Sequence, residues 1–160
     1  MLEEQVVEEL KKRNLKITTA ESCTGGLIAA TLVNVSGASC VLEEGYITYA
    51  NEAKKKILGV EEEALRQYGA VSRQVAFQMA QGAAKAAGAD AALSATGIAG
   101  PDGGTSEKPV GLVYIGCYFL GKTYVKENHF KGDRMEVRRQ TVQAAFRFLL
   151  ECMKATNSQI

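Results

Sequence analysis

Apolar and polar positions alternate with two different spacings along the chain, and this predicts a succession of helices and strands. Apolar residues recur at helical spacing between charged ones over residues 2–13, which predicts an amphipathic helix. Residues 16–20 are rich in β-branched side chains and predict a strand. A short glycine-containing turn then leads into a second helix over residues 27–33.

The middle of the chain continues this alternation. The predicted elements are a strand at 45–49, helices at 52–58, 61–67 and 72–87, and a short apolar strand at 89–96. Asn51 is placed to cap the first of these helices, which Gly59 would end, and Ser72 is placed to cap the longest one. Strands and helices therefore alternate, as they do in α/β proteins.

The last part of the chain changes this order. Residues 110–119 and 123–130 predict two strands of a hairpin joined at Leu120-Gly121-Lys122. A closing helix is predicted from the N-cap Asp133 to about Met153, with a frayed tail over 156–160. Together these elements predict a three-layer α/β/α sandwich around a mixed, mostly parallel sheet of five or six strands.

Composition narrows the class of protein. The 160 residues are 46% hydrophobic and 23% charged, which is enough to bury a core and predicts one globular domain over residues 1–160. The net charge of +1 speaks against a broad electrostatic surface for nucleic acid or an anionic membrane. No leader, membrane span or metal-ligand spacing is recognisable, which predicts a cytoplasmic protein without a metal site. The cysteines are scattered and are predicted to be reduced: Cys23, Cys40, Cys117 and Cys152.

Unusual polar segments follow three of the predicted strands. They span residues 19–26, 49–54 and 96–104. Because ligand sites of open α/β sheets lie at the carboxyl ends of strands, we expect these segments to converge. The first contains three side chains with nucleophile-capable atoms, Ser22, Cys23 and Thr24, although a hydroxyl before a helix is often only its N-cap.

A serine nucleophile needs a base, and Lys54 is the candidate. The only histidine, His129, falls in a late strand, so a serine-histidine-aspartate triad is not expected. A lysine can serve as the base when burial keeps its amine neutral. The alternative is that residues 54–56, three lysines in a row, form a solvated helix face. Tyr49 could hydrogen-bond the lysine or the serine, or simply pack.

Glycine-rich turns and arginines supply candidates for substrate binding. Gly25-Gly26 would let the backbone approach a ligand, and the loop at 97–104 could form an anion-binding nest or be an ordinary surface loop. Arginines at the start of the last helix suit a phosphate, or could make surface salt bridges. The predicted substrate-binding residues are Thr24, Gly25, Gly26, Asn51, Thr96, Gly97, Gly100, Asp102, Gly103, Gly104, Arg134 and Arg138.

Four ordered segments carry a resemblance to a known family. They are TAESCTGG at 19–26, YANEAK at 49–54, GAVS at 69–72 and TGIAGPDGG at 96–104. In order and spacing they closely resemble the CinA C-terminal family, over roughly residues 5–150. The family often has serine where this chain has Ala50, which we interpret as a tolerated small residue.

The resemblance implies a function. Members of the family are nicotinamide-nucleotide amidases, which convert nicotinamide mononucleotide to nicotinate mononucleotide and ammonia in pyridine-nucleotide salvage. By position, the family's nucleophile falls on Ser22, its lysine on Lys54, its assisting tyrosine on Tyr49 and a substrate-side hydroxyl on Thr96. It further implies no cofactor, a mononucleotide substrate, no direct nucleic-acid or membrane partner, a homodimer, and a stand-alone form without the N-terminal domain of larger members.

The predicted mechanism has two rivals. In it, neutral Lys54 takes the proton of Ser22, the serine attacks the carboxamide, and backbone N–H groups near Gly25 and Gly26 hold the oxyanion. In the first rival, Cys23 is the nucleophile, stabilised as a thiolate at a helix N-terminus. In the second, the chain is a non-catalytic nucleotide-binding or regulatory partner in the competence or DNA-damage response.

Overall fold

The computed structural model describes residues 1–157. Its elements, in chain order, are α1 (Leu2–Lys12), β1 (Ile17–Glu21), α2 (Leu27–Val33), a 3₁₀ turn (Ala38–Cys40), β2 (Tyr46–Ile47), α3 (Asn51–Leu58), α4 (Glu62–Tyr68), α5 (Arg73–Ala87), β3 (Ala91–Gly97), β4 (Leu112–Phe119), β5 (Lys122–His129) and α6 (Arg134–Asn157).

The strands form one mixed sheet in the order β2-β1-β3-β4-β5. β1 pairs in parallel with both β2 and β3, whereas β3–β4 and β4–β5 are antiparallel. Four of the five described strands therefore point in the same direction, and only β4 runs against them. The predicted mixed sheet of five or six strands is confirmed, with five strands in the described range.

Helices cover the sheet on both faces, which confirms the three-layer architecture. On one face, α1, α2 and α6 bury their apolar side chains against β1, β3 and β4. On the other, α3, α4 and α5 pack over β1 and β3. β1 and β3 are thus covered on both sides, and all five residues of β1 and the first six of β3 are buried, as this central position requires.

The hairpin and the last helix follow from local turn chemistry. Leu120 and Gly121 both have positive φ, +47° and +91°, as a two-residue turn matched to strand twist requires. Asp133 caps α6 reciprocally: its carboxylate accepts from the Glu136 N–H at 2.8 Å, and the Glu136 carboxylate accepts from its N–H at 2.7 Å.

Three predictions about element ends were wrong. The helix continues past Met153 through Asn157, so Thr156 and Asn157 are helical rather than frayed, while residues 158–160 lie outside the described part. The strand predicted at 45–49 is reduced to two residues, since it pairs only at the sheet edge. Asn51 does not cap α3: it is the first helical residue, and Ala50 holds the N-cap position with an extended backbone.

Candidate active site

The three polar segments meet at one edge of the sheet, because β2, β1 and β3 are parallel neighbours. Two backbone hydrogen bonds tie the segments together beyond the strands. The N–H of Ser22 donates to the carbonyl of Ala95 at 3.0 Å, and the N–H of Thr48 donates to the carbonyl of Glu21 at 2.9 Å. Ser22 is thereby fixed between the neighbouring strand ends.

Ser22 and Lys54 are in direct contact. The Lys54 Nζ lies 3.0 Å from the Ser22 Oγ, 2.9 Å from the carbonyl oxygen of Thr48 and 3.1 Å from that of Tyr49. The lysine side chain is almost completely buried, with 1% of its surface exposed, although α3 is short and otherwise mostly solvated. The first turn of α3 therefore carries the amine back to the end of β1.

The arrangement of acceptors suits a neutral amine. Carbonyl oxygens can only accept, so a neutral Lys54 donates its two N–H groups to Thr48 and Tyr49. Its lone pair then has one partner left that can donate, the hydroxyl of Ser22. In the neutral form, the two carbonyls thus leave the lone pair of Lys54 directed at the serine hydroxyl, to which the protonated form instead donates.

Burial lowers the pKa of Lys54 from its ordinary value, because the charged form loses its hydration. Within the described residues no carboxylate forms an ion pair with this amine to oppose that effect. Its neighbours differ: Lys55 pairs with Glu52 and Glu62, and Lys56 is exposed. The interpretation of the lysine run as a solvated face therefore fails at Lys54 and holds for the two lysines that follow.

Glu21, the last residue of β1, is a site residue that the sequence analysis missed. Its fully buried carboxylate accepts the N–H of Ile28 at 2.7 Å and that of Ala29 at 3.0 Å, in the first turn of α2. The helix N-terminus is therefore already occupied by a carboxylate of the protein. An incoming anion cannot use these two groups.

The turn between Ser22 and α2 still offers donors. Gly25, which has positive φ, donates its N–H to the Ser22 carbonyl at 3.1 Å, so it does not point at a ligand as predicted. The backbone N–H groups of Thr24 and Gly26 meet no protein acceptor within residues 1–157. The buried hydroxyl of Thr24 also has no partner there. These groups are the available donors beside Ser22.

Arg138 stabilises the turn that follows Ser22. Its Nε donates to the Cys23 carbonyl at 3.0 Å and its Nη2 to the Thr24 carbonyl at 2.9 Å. The guanidinium thus links α6 to the two residues that follow the serine. Arg138 was predicted to bind substrate, but two of its donors are committed to the backbone.

Arg134 joins Tyr49 to the glycine-rich loop. Its Nη1 donates to the Gly100 carbonyl at 2.8 Å, and its Nη2 to the Tyr49 hydroxyl at 3.2 Å. The Tyr49 ring is 65% exposed, and only its backbone carbonyl contacts Lys54. The predicted contact of its phenol with the lysine or the serine is absent from the structure.

The glycine-rich loop forms an exposed rim of the site. Thr96 is buried and donates its hydroxyl proton to the Ala70 carbonyl at 2.8 Å, so this hydroxyl links β3 to the connection between α4 and α5. Asp102, Gly103 and Gly104 are exposed, and their N–H groups have no acceptor in the described range. Gly103 has a φ of +89°. Asn51, two positions after Tyr49, is exposed, and no hydrogen bond holds its side chain in the described range.

Cys23 is a poor candidate nucleophile. Its side chain is buried in the core cluster beneath α2, and this burial raises the pKa of its thiol to about 11. A thiol with so high a pKa is protonated at neutral pH.

His129 lies on the far edge strand β5, beside Glu127.

No group of three or more histidine, cysteine, aspartate or glutamate side chains within residues 1–157 is arranged to hold a metal ion. None of the helices over the same range is long and apolar enough to cross a membrane.

The chain is similar to a known family of proteins. The family model described as CinA C-terminal domain matches residues 1–153. A CinA-like protein of Kosmotoga olearia is 57% identical over 148 residues, which are 92% of this chain and 36% of that protein. The chain spans about a third of the length of the curated relatives it matches.

Solved structures show the same fold. A competence/damage inducible protein from Agrobacterium tumefaciens is 43% identical, with a TM-score of 0.91, covering 94% of this chain and 92% of that one. A competence damage-inducible protein A from Klebsiella pneumoniae is 37% identical, with a TM-score of 0.92, covering 96% and 95%. The chain belongs to the CinA C-terminal domain family.

Proposed function

We propose that this protein is a nicotinamide-nucleotide amidase that hydrolyses nicotinamide mononucleotide to nicotinate mononucleotide and ammonia. The observation that carries the proposal is the buried Lys54 amine, 3.0 Å from the Ser22 hydroxyl and held there by two backbone carbonyls. This is the arrangement of a serine activated by a lysine base. The choice of substrate follows from the family resemblance.

In the first half of the reaction, the neutral amine of Lys54 takes the proton of Ser22 as the hydroxyl oxygen attacks the carboxamide carbon. The N–H groups of Thr24 and Gly26, which lie two and four positions after Ser22 and have no protein acceptor in the described part, are assigned as donors to the developing oxyanion. The lysine, now an ammonium, returns the proton to the departing nitrogen. Ammonia leaves an acyl-enzyme on Ser22.

In the second half, the same amine takes a proton from water, and the hydroxide attacks the ester carbon. Collapse of the tetrahedral intermediate releases nicotinate mononucleotide and returns the proton to Ser22. Every proton transfer passes through Lys54, whose two carbonyl contacts remain in place throughout. The serine and lysine therefore supply nucleophile, base and acid, and no step calls for a metal ion.

The phosphate of the substrate is assigned to the exposed rim. The unpaired N–H groups of residues 102–104 form a backbone donor cluster of the kind that holds anions. Arg134 adds a guanidinium whose position is fixed by Gly100 and Tyr49. Arg138 is assigned a positioning role, since it holds the carbonyls of Cys23 and Thr24.

The partners, location and oligomeric state of the enzyme are also part of the proposal. A net charge of +1 and a deeply seated serine favour a small mononucleotide as partner over a nucleic acid or membrane. We also propose a cytoplasmic homodimer without a cofactor, which follows from the family resemblance.

The test is ammonia release from nicotinamide mononucleotide by the purified protein, with and without EDTA. We expect turnover that EDTA leaves unchanged, loss of turnover in Ser22→Ala, and retention in Cys23→Ala. Circular dichroism and thermal melting of each variant control for folding. Binding of the mononucleotide without ammonia release would instead support a non-catalytic binding protein, and loss of activity in Cys23→Ala alone would move the nucleophile to the thiol.

A further inference from the structure

A second concave site lies at the far end of α6 from Arg134. It is a pocket of about 430 Å³ between the β4–β5 hairpin and the last turns of α6. Its apolar wall includes Phe119, Tyr124 and Phe148, and Cys152 lines it from the helix. The proposed amidase chemistry uses none of these residues.

The cysteine in this pocket has a second cysteine behind it. Cys117 lies on β4 and is fully buried, and the two thiols lie close enough together that each shifts the pKa of the other. Cys152 is 8% exposed and borders the pocket, so only one of the two sulfur atoms faces a space that a small molecule can enter. The pair therefore has an outer and an inner thiol.

The surroundings favour the thiolate at the outer position. The neighbouring Cys117 thiol and the positive charge of Lys126 both lower the pKa of Cys152, while burial and the charge of Glu151 oppose them. The neighbouring Cys152 and, after it, burial raise the pKa of Cys117. Lys126 is anchored in the same pocket, paired with Glu151 and 4.6 Å above the ring of Phe148. The negative charge is thus directed to Cys152.

We propose that Cys152 is an oxidation site, at which a hydroperoxide oxidises the thiol and Cys117 resolves the product as an intramolecular disulfide. A reactive outer thiol next to a resolving inner thiol is the arrangement that such chemistry needs. The apolar wall of the pocket fits small alkyl or aryl hydroperoxides.

The chemistry balances with the hydroperoxide as the only oxidant. The Cys152 thiolate attacks the terminal peroxide oxygen, an S–O bond forms, the O–O bond breaks, and the alkoxide leaves as an alcohol after taking a proton. The sulfur of Cys117 then attacks the sulfenic sulfur and displaces water. Two thiols and one hydroperoxide give one disulfide, one alcohol and one water.

The experiment uses the full chain carrying Cys40→Ser, which removes an exposed thiol that could link two molecules. After treatment with cumene hydroperoxide, intact mass and peptide mapping are expected to show the loss of two hydrogens and a Cys117–Cys152 crosslink. In addition, Cys117→Ser is expected to accumulate a sulfenic acid at Cys152 that dimedone labels.

Cys23 serves as the internal control, because it is buried to the same 8% exposure and its pKa is raised. We expect iodoacetamide to alkylate Cys152 at least about 10-fold faster than Cys23 in the folded protein. Equal alkylation rates, or oxidation without a Cys117–Cys152 crosslink, would overturn the proposal. Thermal melting of Cys117→Ser and Cys152→Ser verifies that each variant is folded.

This inference is independent of the amidase proposal. Cys152 lies about 21 Å along α6 from Arg138, at 1.5 Å per residue. We expect Cys152→Ser to keep its turnover of nicotinamide mononucleotide and to lose the crosslink. A protein without amidase activity that still forms the crosslink would sink only the proposed function.

Discussion

The Ser22–Lys54 pair and the loop over residues 100–104 belong to the same site but are built in opposite ways. Lys54 is 1% exposed, and two backbone carbonyls together with the Ser22 hydroxyl fix its amine. Residues 101–104 are exposed, and the N–H groups of 102–104 have no acceptor in the described part of the chain. The polar groups of the Ser22–Lys54 pair are satisfied without a ligand. The loop, in contrast, has unpaired backbone N–H groups that can donate to one.

This difference separates chemistry from recognition. Groups that transfer a proton must be held within a few tenths of an ångström, and strand ends together with a short helix provide that rigidity. A group that grips a phosphate needs free backbone donors, which exposed glycine-rich loops provide. Changes to the pair are therefore expected to act on kcat, and changes to the loop on KM.

The largest effect is expected from removing the amine. Lys54→Met keeps most of the side-chain volume but removes the proton acceptor of Ser22. We expect kcat for nicotinamide mononucleotide to fall by about 10³-fold or more, with KM changed little, because the proposed phosphate contacts lie on the rim and not at Lys54. Steady-state ammonia release measures both constants.

Lys55→Met provides the matched control in the same helix, since Lys55 pairs with surface glutamates. It is expected to retain kcat within about two-fold, as exposed ion pairs contribute little. If Lys54→Met retained full kcat while folding normally, the pair would not be the catalytic centre.

The next effect comes from loosening the turn that follows Ser22. Arg138→Gln removes the fork that holds the carbonyls of Cys23 and Thr24. We expect kcat to fall by about 10²-fold, because a small displacement of the nucleophile and oxyanion donors is costly. Arg138→Lys is expected to restore only part of it.

Arg139→Gln is the control, because Arg139 is exposed on the next position of α6. A phosphate-binding role for Arg138 would instead raise KM at constant kcat. That result would assign Arg138 to substrate binding.

The ionisation of Lys54 predicts a pH dependence of stability. Its folded pKa lies below the ordinary 10.5, so between the two values the unfolded chain holds a proton that the native protein lacks. Stability therefore rises with pH through this window, by at most about 1.4 kcal/mol per pH unit, and the cost of burying the charge is full below it. Lys54→Met lacks this dependence.

Urea unfolding of both proteins from pH 7 to pH 10.5 measures the effect as a difference in unfolding free energy. We expect the advantage of Lys54→Met over the unsubstituted protein to shrink as pH rises, because other groups titrate equally in both. A constant difference across the range would mean that the native pKa of this amine is not lowered.

A smaller effect is expected from straining the loop. Gly103→Ala places a Cβ at a φ of +89°, which costs about 1–2 kcal/mol and pushes the backbone away from its conformation. We expect KM to rise by up to about 10-fold, equivalent to that energy, with kcat retained. Gly88→Ala, at a φ of +62° beyond α5 with open space around it, imposes similar strain without changing KM.

The sequence predicts the convergence of the site better than its details. Segments after three strands had to meet once those strands were parallel neighbours, and the pattern of short buried strands indicated this. In contrast, which lysine of residues 54–56 points inward depends on the rotation of α3 against the sheet. Packing alone decides that rotation.

Two positions could not be predicted because their partners are backbone atoms. Glu21 accepts N–H groups of α2, and Arg138 donates to carbonyls of the turn, so no complementary side chain marks either contact in the sequence. For Arg138, an arginine early in a helix also resembles a phosphate ligand. Both residues stabilise the backbone that follows Ser22.

The smallest expected effect concerns the helix that delivers Lys54. Ala50 sits at the N-cap of α3 with φ −86° and ψ 154°, and no side-chain oxygen caps this end. Ala50→Ser supplies one in the backbone geometry that a cap requires, so we expect the unfolding free energy to increase by about 1 kcal/mol without a change in kcat. Ala50→Val, which adds no acceptor, is the control and is not expected to stabilise. Urea denaturation measures stability and ammonia release measures kcat. Together they decide whether the serine that is common at position 50 in this family stabilises the helix. An increase in kcat without added stability would place that hydroxyl in the chemistry of the Ser22–Lys54 pair.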